Sequence, residues 1–237
     1  MTTTVIEPVA GGDAVGVDAV VVHWCRVAEF RPSIPPVYTD TERTRAAGLR
    51  RPEDRAGYLA AHALVRYAAA RLLGADPLSL ILRQHCPECG SPRHGKPRME
   101  GVPIEVSLSH TRGFAAAAAG FRPVGVDIES GDAEIPDVAL APGEASLSRM
   151  GRVHRWVLKE SLVKVGAATL DDFPGLVLPP PDPYGNGRWH GWELHSRSLP
   201  GDVAVLGIAF AAAPGGREMP WIAEWGVDPA TVTPTGT

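Results

Sequence analysis

The chain has 237 residues, enough for one large domain or two small ones around a sizeable core. Its 44% hydrophobic and 21% charged composition is that of a soluble globular protein, and a net charge of −4 argues against bulk nucleic-acid binding. No apolar run reaches membrane-spanning length, residues 1–20 lack the basic-then-apolar pattern of a secretory signal, and three cysteines fit a reducing compartment, so a cytoplasmic protein is expected.

Residues 1–18, rich in Gly, Thr and Val, are expected to be a flexible N-terminus. Ala19 to Trp24 reads as a buried strand through Val20, Val21 and Val22. Thr39 or Thr41 is placed to cap a short helix carrying Arg43, Arg45, Arg50 and Arg51. From Glu53 to Leu73, residues Leu59, Ala63, Leu64, Tyr67, Ala68 and Leu72 recur at helical spacing, and Gly74 ends the helix. Leu80 to Arg83 predicts a short strand, His85 to Arg98 a loop, and Ile104 to Leu108 a strand left by a turn at Ser109–Thr111. Phe114 to Phe121 predicts a buried strand built of alanine. Ser130 to Arg152 is broken by Pro, Gly and Ser, a pattern that leaves its structure open. Pro179 to Gly187 reads as a loop, while Trp189 to Ser196 and Val203 to Ala211 read as antiparallel strands. The two tryptophans Trp189 and Trp192 are expected to fill a core, and Trp221 and Trp225 of the tail to dock back. The organisation predicted is an α+β half over 19–110, a second over 111–213, and a tail over 214–237.

Two segments carry the chemistry. In Val124–Glu129, apolar residues alternate with Gly125, Asp127 and Glu129, the period of a half-buried strand, so both carboxylates project from one face. Two acids so placed repel unless a cation lies between them, and all-oxygen ligation suits Mg2+. In Trp156–Lys164, Glu160 and Lys164 share a helix face, one turn apart. Taken singly, the segments also fit a solvated strand edge and an ordinary Glu–Lys pair. Cys86-x-x-Cys89, with His85 and His94 beside it, offers a zinc half-site or a plain cysteine-bearing loop; it opens no helix, which disfavours a redox role.

Gly-Lys-Pro at 95–97, Ser-Leu-Ser-His-Thr at 107–111, Gly-Val-Asp-Ile-Glu at 125–129 and Trp-x-x-Lys-Glu-Ser-x-x-Lys at 156–164 follow one another in an order that resembles the 4′-phosphopantetheinyl transferases, specifically their long, monomeric, surfactin-synthetase-type class. The resemblance spans residues 40–175. It implies a 4′-phosphopantetheinyl transferase fold, two similar α+β halves in pseudo-two-fold arrangement, with coenzyme A between them. It implies transfer of phosphopantetheine to a serine of an apo acyl or peptidyl carrier protein, with release of adenosine 3′,5′-bisphosphate. By the same resemblance Asp127, Glu129 and Glu160 hold Mg2+, Glu160 is also the base, and Lys164 contacts the pyrophosphate. Ser109 and His110 would touch coenzyme A phosphates, Lys96 the nucleotide, and Arg45, with Arg51 or Arg55, the 3′-phosphate. Lys159 is expected to point away, to structure or surface. The stretch between Glu129 and Glu160 is shorter and poorer in aromatics than in better-known members, which leaves fatty-acid, polyketide and nonribosomal-peptide carriers as alternatives. A competing reading is an Mg2+-dependent hydrolase of nucleotides or phosphate esters; another is a non-catalytic binding module. No phosphate-loop or dinucleotide glycine pattern is present.

Overall fold

The computed structural model describes residues 19–31, 36–86, 88–92, 94–180, 182 and 185–213, and the backbone of 222–226. The expected loose N-terminus, Trp221 and the side chain of Trp225 lie outside the described residues.

The valine run begins strand β1 (Val20–Arg26), and Thr39 caps helix α1 (Asp40–Gly48) in a reciprocal capping box with Glu42. Helix α2 (Pro52–Leu73) starts on a proline and stops at Gly74, whose left-handed backbone (φ 64°) closes its end. Strands β2 (Leu82–His85), β3 (Lys96–Met99), β4 (Glu105–Thr111) and β5 (Phe114–Gly120) follow. Strand β6 (Val124–Ser130), helix α3 (Arg149–Val165), and strands β7 (Asn186–Trp189), β8 (Trp192–Ser198), β9 (Ala204–Ala211) and β10 (Ile222–Gly226) complete the order.

These elements form two sheets, β10-β1-β5-β4-β3-β2 and β6-β9-β8-β7; every pairing is antiparallel except β1 with β10. The chain follows the same route twice. In each unit a first strand is followed by a long helix, and the remaining strands meander back until the last pairs with the first: β1-β5-β4-β3 matches β6-β9-β8-β7. The change of sheet falls after β5, at residues 121–123, because β5 pairs along its whole length with β1 and β4; the division expected near residue 110 lies inside β4.

Alternation along the strands sets the layers. Val21, Ala115, Ala117 and Ala119 face α2, whereas Val20, Val22, Ala116 and Ala118 face Val124, Val126, Ile128, Leu206 and Ile208 of the second sheet. Helix α3 covers the outer face of that sheet through Val153, Val157, Leu158 and Leu162. Strand β5 is thus covered on both faces. Ala115 to Ala119 are all fully buried there, and burial overrides the poor strand propensity of alanine.

Local departures from the sequence expectation have simple causes. Ser109, His110 and Thr111 continue β4 because each finds a partner on β5, so they are strand and not turn. Strand β3 emerges inside the expected loop, paired with β2, and β7 with β8 through a tight turn at His190 and Gly191. The stretch 130–148 contains two short 3-10 turns, at Asp137–Ala139 and Glu144–Ser146.

Candidate active site

Helix α3 comes unusually close to β6 because glycine faces it. A Cβ on Gly125 would lie 2.1 Å from the carbonyl oxygen of Ser161, and one on Gly207 of β9 would lie 2.7 Å from Val157. The Ser161 hydroxyl fills the contact by donating to Val157 O (2.7 Å) or Gly207 O (3.0 Å). This approach brings Glu160 and Lys164 over the acidic face of β6. Lys164 Nζ donates to Asp127 Oδ1 at 2.6 Å and to Val126 O at 2.9 Å.

From the other side, β4 meets β6 with a row of hydroxyls at strand period. Ser107 Oγ accepts from Val126 N (3.0 Å), Ser109 Oγ donates to Asp127 Oδ1 (2.7 Å), and Thr111 Oγ1 donates to Glu129 Oε1 (2.5 Å). Ser107 satisfies an amide on the outer edge of β6, the edge away from β9. Both bonds to Asp127 land on Oδ1, and those to Glu129, from Thr111 and from the Ser130 amide (2.7 Å), land on Oε1. The second oxygens of the two carboxylates accept no hydrogen bond from the described residues. Thr111 was missed at the sequence level; Ser107, Ser109 and Thr111 at alternate positions were the signal, hidden once the strand was ended at Leu108.

Glu160 is half-buried on α3, and its carboxyl is pushed above the usual range by burial first, then by Asp127 and Glu129, against the opposing pull of Lys164. The three acids therefore share one field with a surplus of negative charge. Their donor set is all oxygen and fits a hard divalent cation by its chemistry. They do not draw in as tightly as a thiol and imidazole group elsewhere: Cys86, Cys89 and His94, whose ligand atoms all lie within 4.8 Å of one another, are the one such set among the described residues.

His110 alternates to the opposite face of β4, toward α2. Its Nδ1 would lie 3.4 Å from a Cβ on Gly57, and its ring meets Tyr58 edge-on at 6.3 Å. Desolvation, then His62 and the positive charge of Lys164 and Arg45, against the pull of Asp54, hold His110 below its ordinary value, so the neutral imidazole is favoured. Arg45 lies over the Tyr58 ring at 5.8 Å, and a cleft there is lined by Arg45, Glu42, Tyr58, His62, Arg83 and Pro92. Glu42, His62 and Tyr58 were not anticipated; nothing local in sequence links residues of α1 and α2 so far apart.

The remaining basic residues divide. Arg55 is committed to α1, donating to Ala46 O (3.1 Å) and Leu49 O (3.2 Å) at the end of that helix. Arg51 is exposed at the start of α2 and makes no side-chain capping bond. Lys96 Nζ pairs with Glu105 Oε2 at 2.6 Å across β3 and β4. Lys159 points away from the site, as expected, but is buried: Nζ bonds Glu144 Oε2 (2.6 Å), Phe173 O (3.0 Å) and Ala139 O (3.1 Å) and so pins the irregular 130–148 stretch to α3.

No family model matches the chain. A protein of Bacillus subtilis named 4′-phosphopantetheinyl transferase is 28% identical over 113 residues, covering 43% of this chain and 47% of that protein. The chain is similar to that protein over this span alone. It spans about half the length of the curated relative it matches. No helix among the described residues is long and apolar enough to cross a membrane.

Proposed function

We propose that the chain is a cytoplasmic, monomeric 4′-phosphopantetheinyl transferase of the long class, its two strand–helix–meander units being the pseudo-two-fold halves. It moves phosphopantetheine from coenzyme A to a serine of an apo acyl or peptidyl carrier protein. The observation that carries this reading is the convergence of Asp127 and Glu129 on β6 with Glu160 and Lys164 on α3, across the close approach at Gly125. The distant relative supports the same class of chemistry.

Asp127, Glu129 and Glu160 would hold Mg2+, which when bound offsets charge on the diphosphate oxygens. Glu160, beside that cation, is the group placed to take the proton of the carrier serine, directly or through water. The serine oxygen then bonds to the phosphorus that bears pantetheine, the bridging P–O bond breaks, and adenosine 3′,5′-bisphosphate leaves. Lys164 supplies positive charge to that leaving group, and Ser109 and Thr111 keep the β6 carboxylates in place. His110, as neutral imidazole, and Arg45, over Tyr58, line the approach for the phosphates of coenzyme A, with Lys96 nearer the nucleotide.

The test is to incubate the protein with coenzyme A, Mg2+ and a panel of apo carrier proteins. A mass gain of one phosphopantetheine on some carriers, abolished by Glu160→Gln, is the expected result. Breakdown of coenzyme A without any carrier would indicate a hydrolase instead, and no gain on any carrier would reject the assignment.

A further inference from the structure

The loop joining β2 to β3 brings two thiols and an imidazole together among its described residues. Of its residues Cys86 is buried, whereas Glu88, Cys89, Gly90, Pro92 and His94 are exposed. Its backbone is nonetheless tightly folded. Cys86 N donates to Ser91 O (3.0 Å), Gly90 N donates to Cys86 O (2.8 Å), and Gly90 and Gly95 adopt left-handed conformations at φ 69° and 101°. At Gly95 a Cβ would strike the carbonyl oxygen of His85 at 2.2 Å, so only glycine lets the loop return to β3. Cys89 Sγ and His94 Nε2 are 3.2 Å apart, and all three ligand atoms fall within 4.8 Å of one another. Ligands of one tetrahedral zinc, sulfur and imidazole nitrogen, stand about 3.5 Å apart.

We propose that Cys86, Cys89 and His94 bind one zinc ion, with solvent at the fourth position. Two thiolates and a neutral imidazole balance its charge and are the borderline-soft donors it prefers, unlike the oxygen donors of the carboxylate cluster. The ion ties Cys86, Cys89 and His94 to one another and holds Pro92 against the cleft beside Arg45 and Tyr58. This assignment stands without the transferase reading, because its readout is metal content.

The full chain, expressed with zinc in the medium and dialysed against metal-free buffer, is expected to retain about one zinc equivalent by elemental analysis. Cobalt replacement should give thiolate charge-transfer absorption and the visible bands of tetrahedral Co2+. Retained metal should drop at least about tenfold in Cys89→Ser and in His94→Ala, both changes at exposed positions, and should be unchanged in His85→Ala. Wild type that holds no metal and shows no cobalt–thiolate band, or that carries a Cys86–Cys89 disulfide, would overturn the site. Loss of zinc in His85→Ala would overturn this ligand set.

Discussion

Glu42 and Glu160 are both helix carboxylates withdrawn from water, and the molecule treats them in opposite ways. Glu42 on α1 is surrounded by donors: Arg66 grips it with two bonds of 2.8 Å, His62 Nδ1 lies at 2.7 Å, and the Thr39 amide at 2.6 Å. Burial alone would raise its pKa, but the bonds from His62, Arg66 and Thr39 outweigh that and bring it down to about 2. His62, desolvated and below its ordinary value, is the neutral donor in that group. Glu160 has one nearby cation and two acidic neighbours, and its carboxyl is raised. A carboxylate satisfied on every side holds two helices together. One left with surplus negative charge is available to a cation or a proton.

The largest effect should separate the two in activity. Glu160→Gln, and likewise Asp127→Asn, should lower carrier modification by about 10²–10⁴-fold while the protein stays folded by circular dichroism; a variant that keeps full Mg2+-responsive transfer would remove Glu160 from the chemistry. Next is stability. Glu42→Gln strands the buried guanidinium of Arg66 and should cost roughly 3–5 kcal/mol in denaturant unfolding, with Glu160→Gln neutral or mildly stabilising at pH 7.

The same pair should diverge with pH. The stability Glu42 confers is fully present above the unfolded carboxylate value of 4.5 and is lost as pH falls toward about 2. For Glu160 the sign reverses, because a raised acid costs the fold stability as pH climbs through its folded value. Unfolding curves from pH 2 to 8 should therefore show the Glu42→Gln deficit, roughly a few kcal/mol at neutrality, shrinking in acid. Any Glu160→Gln gain should also vanish in acid, where the wild-type carboxyl is protonated in both states. Parallel curves for the two variants would erase the contrast.

How far the sequence reveals this depends on the range of the interaction. The alternation of Val124–Glu129 and the one-turn spacing of Glu160 and Lys164 are local, and the structure places Asp127, Glu129, Glu160 and Lys164 in one field. Thr39 as a cap and Gly74 and Gly166 as helix stops are equally local. The Glu42–His62–Arg66 group joins α1 to α2, and no periodicity within either helix signals it. Arg55 illustrates the converse: the family resemblance makes it a candidate for the 3′-phosphate, while both its hydrogen bonds go to carbonyls ending α1. Strand β3 escaped notice because its partners are supplied by tertiary pairing, while Pro97 and the preceding Cys- and Gly-rich loop carry turn chemistry.

The smallest predicted effect sharpens the question of what Ser109 does. The family resemblance makes it a contact for coenzyme A phosphate, but its side chain is directed into the protein, 9% exposed, and donates to Asp127. If its work is to orient that carboxylate, Ser109→Ala removes one hydrogen bond to a charged acceptor, worth about 1.5–3 kcal/mol, shared between fold stability and transfer. The turnover number should then fall about tenfold with the KM for coenzyme A nearly unchanged, and Ser109→Thr, which keeps the hydroxyl, should restore most of it. A phosphate contact predicts the opposite division, a raised KM for coenzyme A with turnover preserved. Because Asp127 keeps Lys164 in the alanine variant, the site loses orientation but not its charge balance, which is why this effect should be far smaller than that of Glu160→Gln.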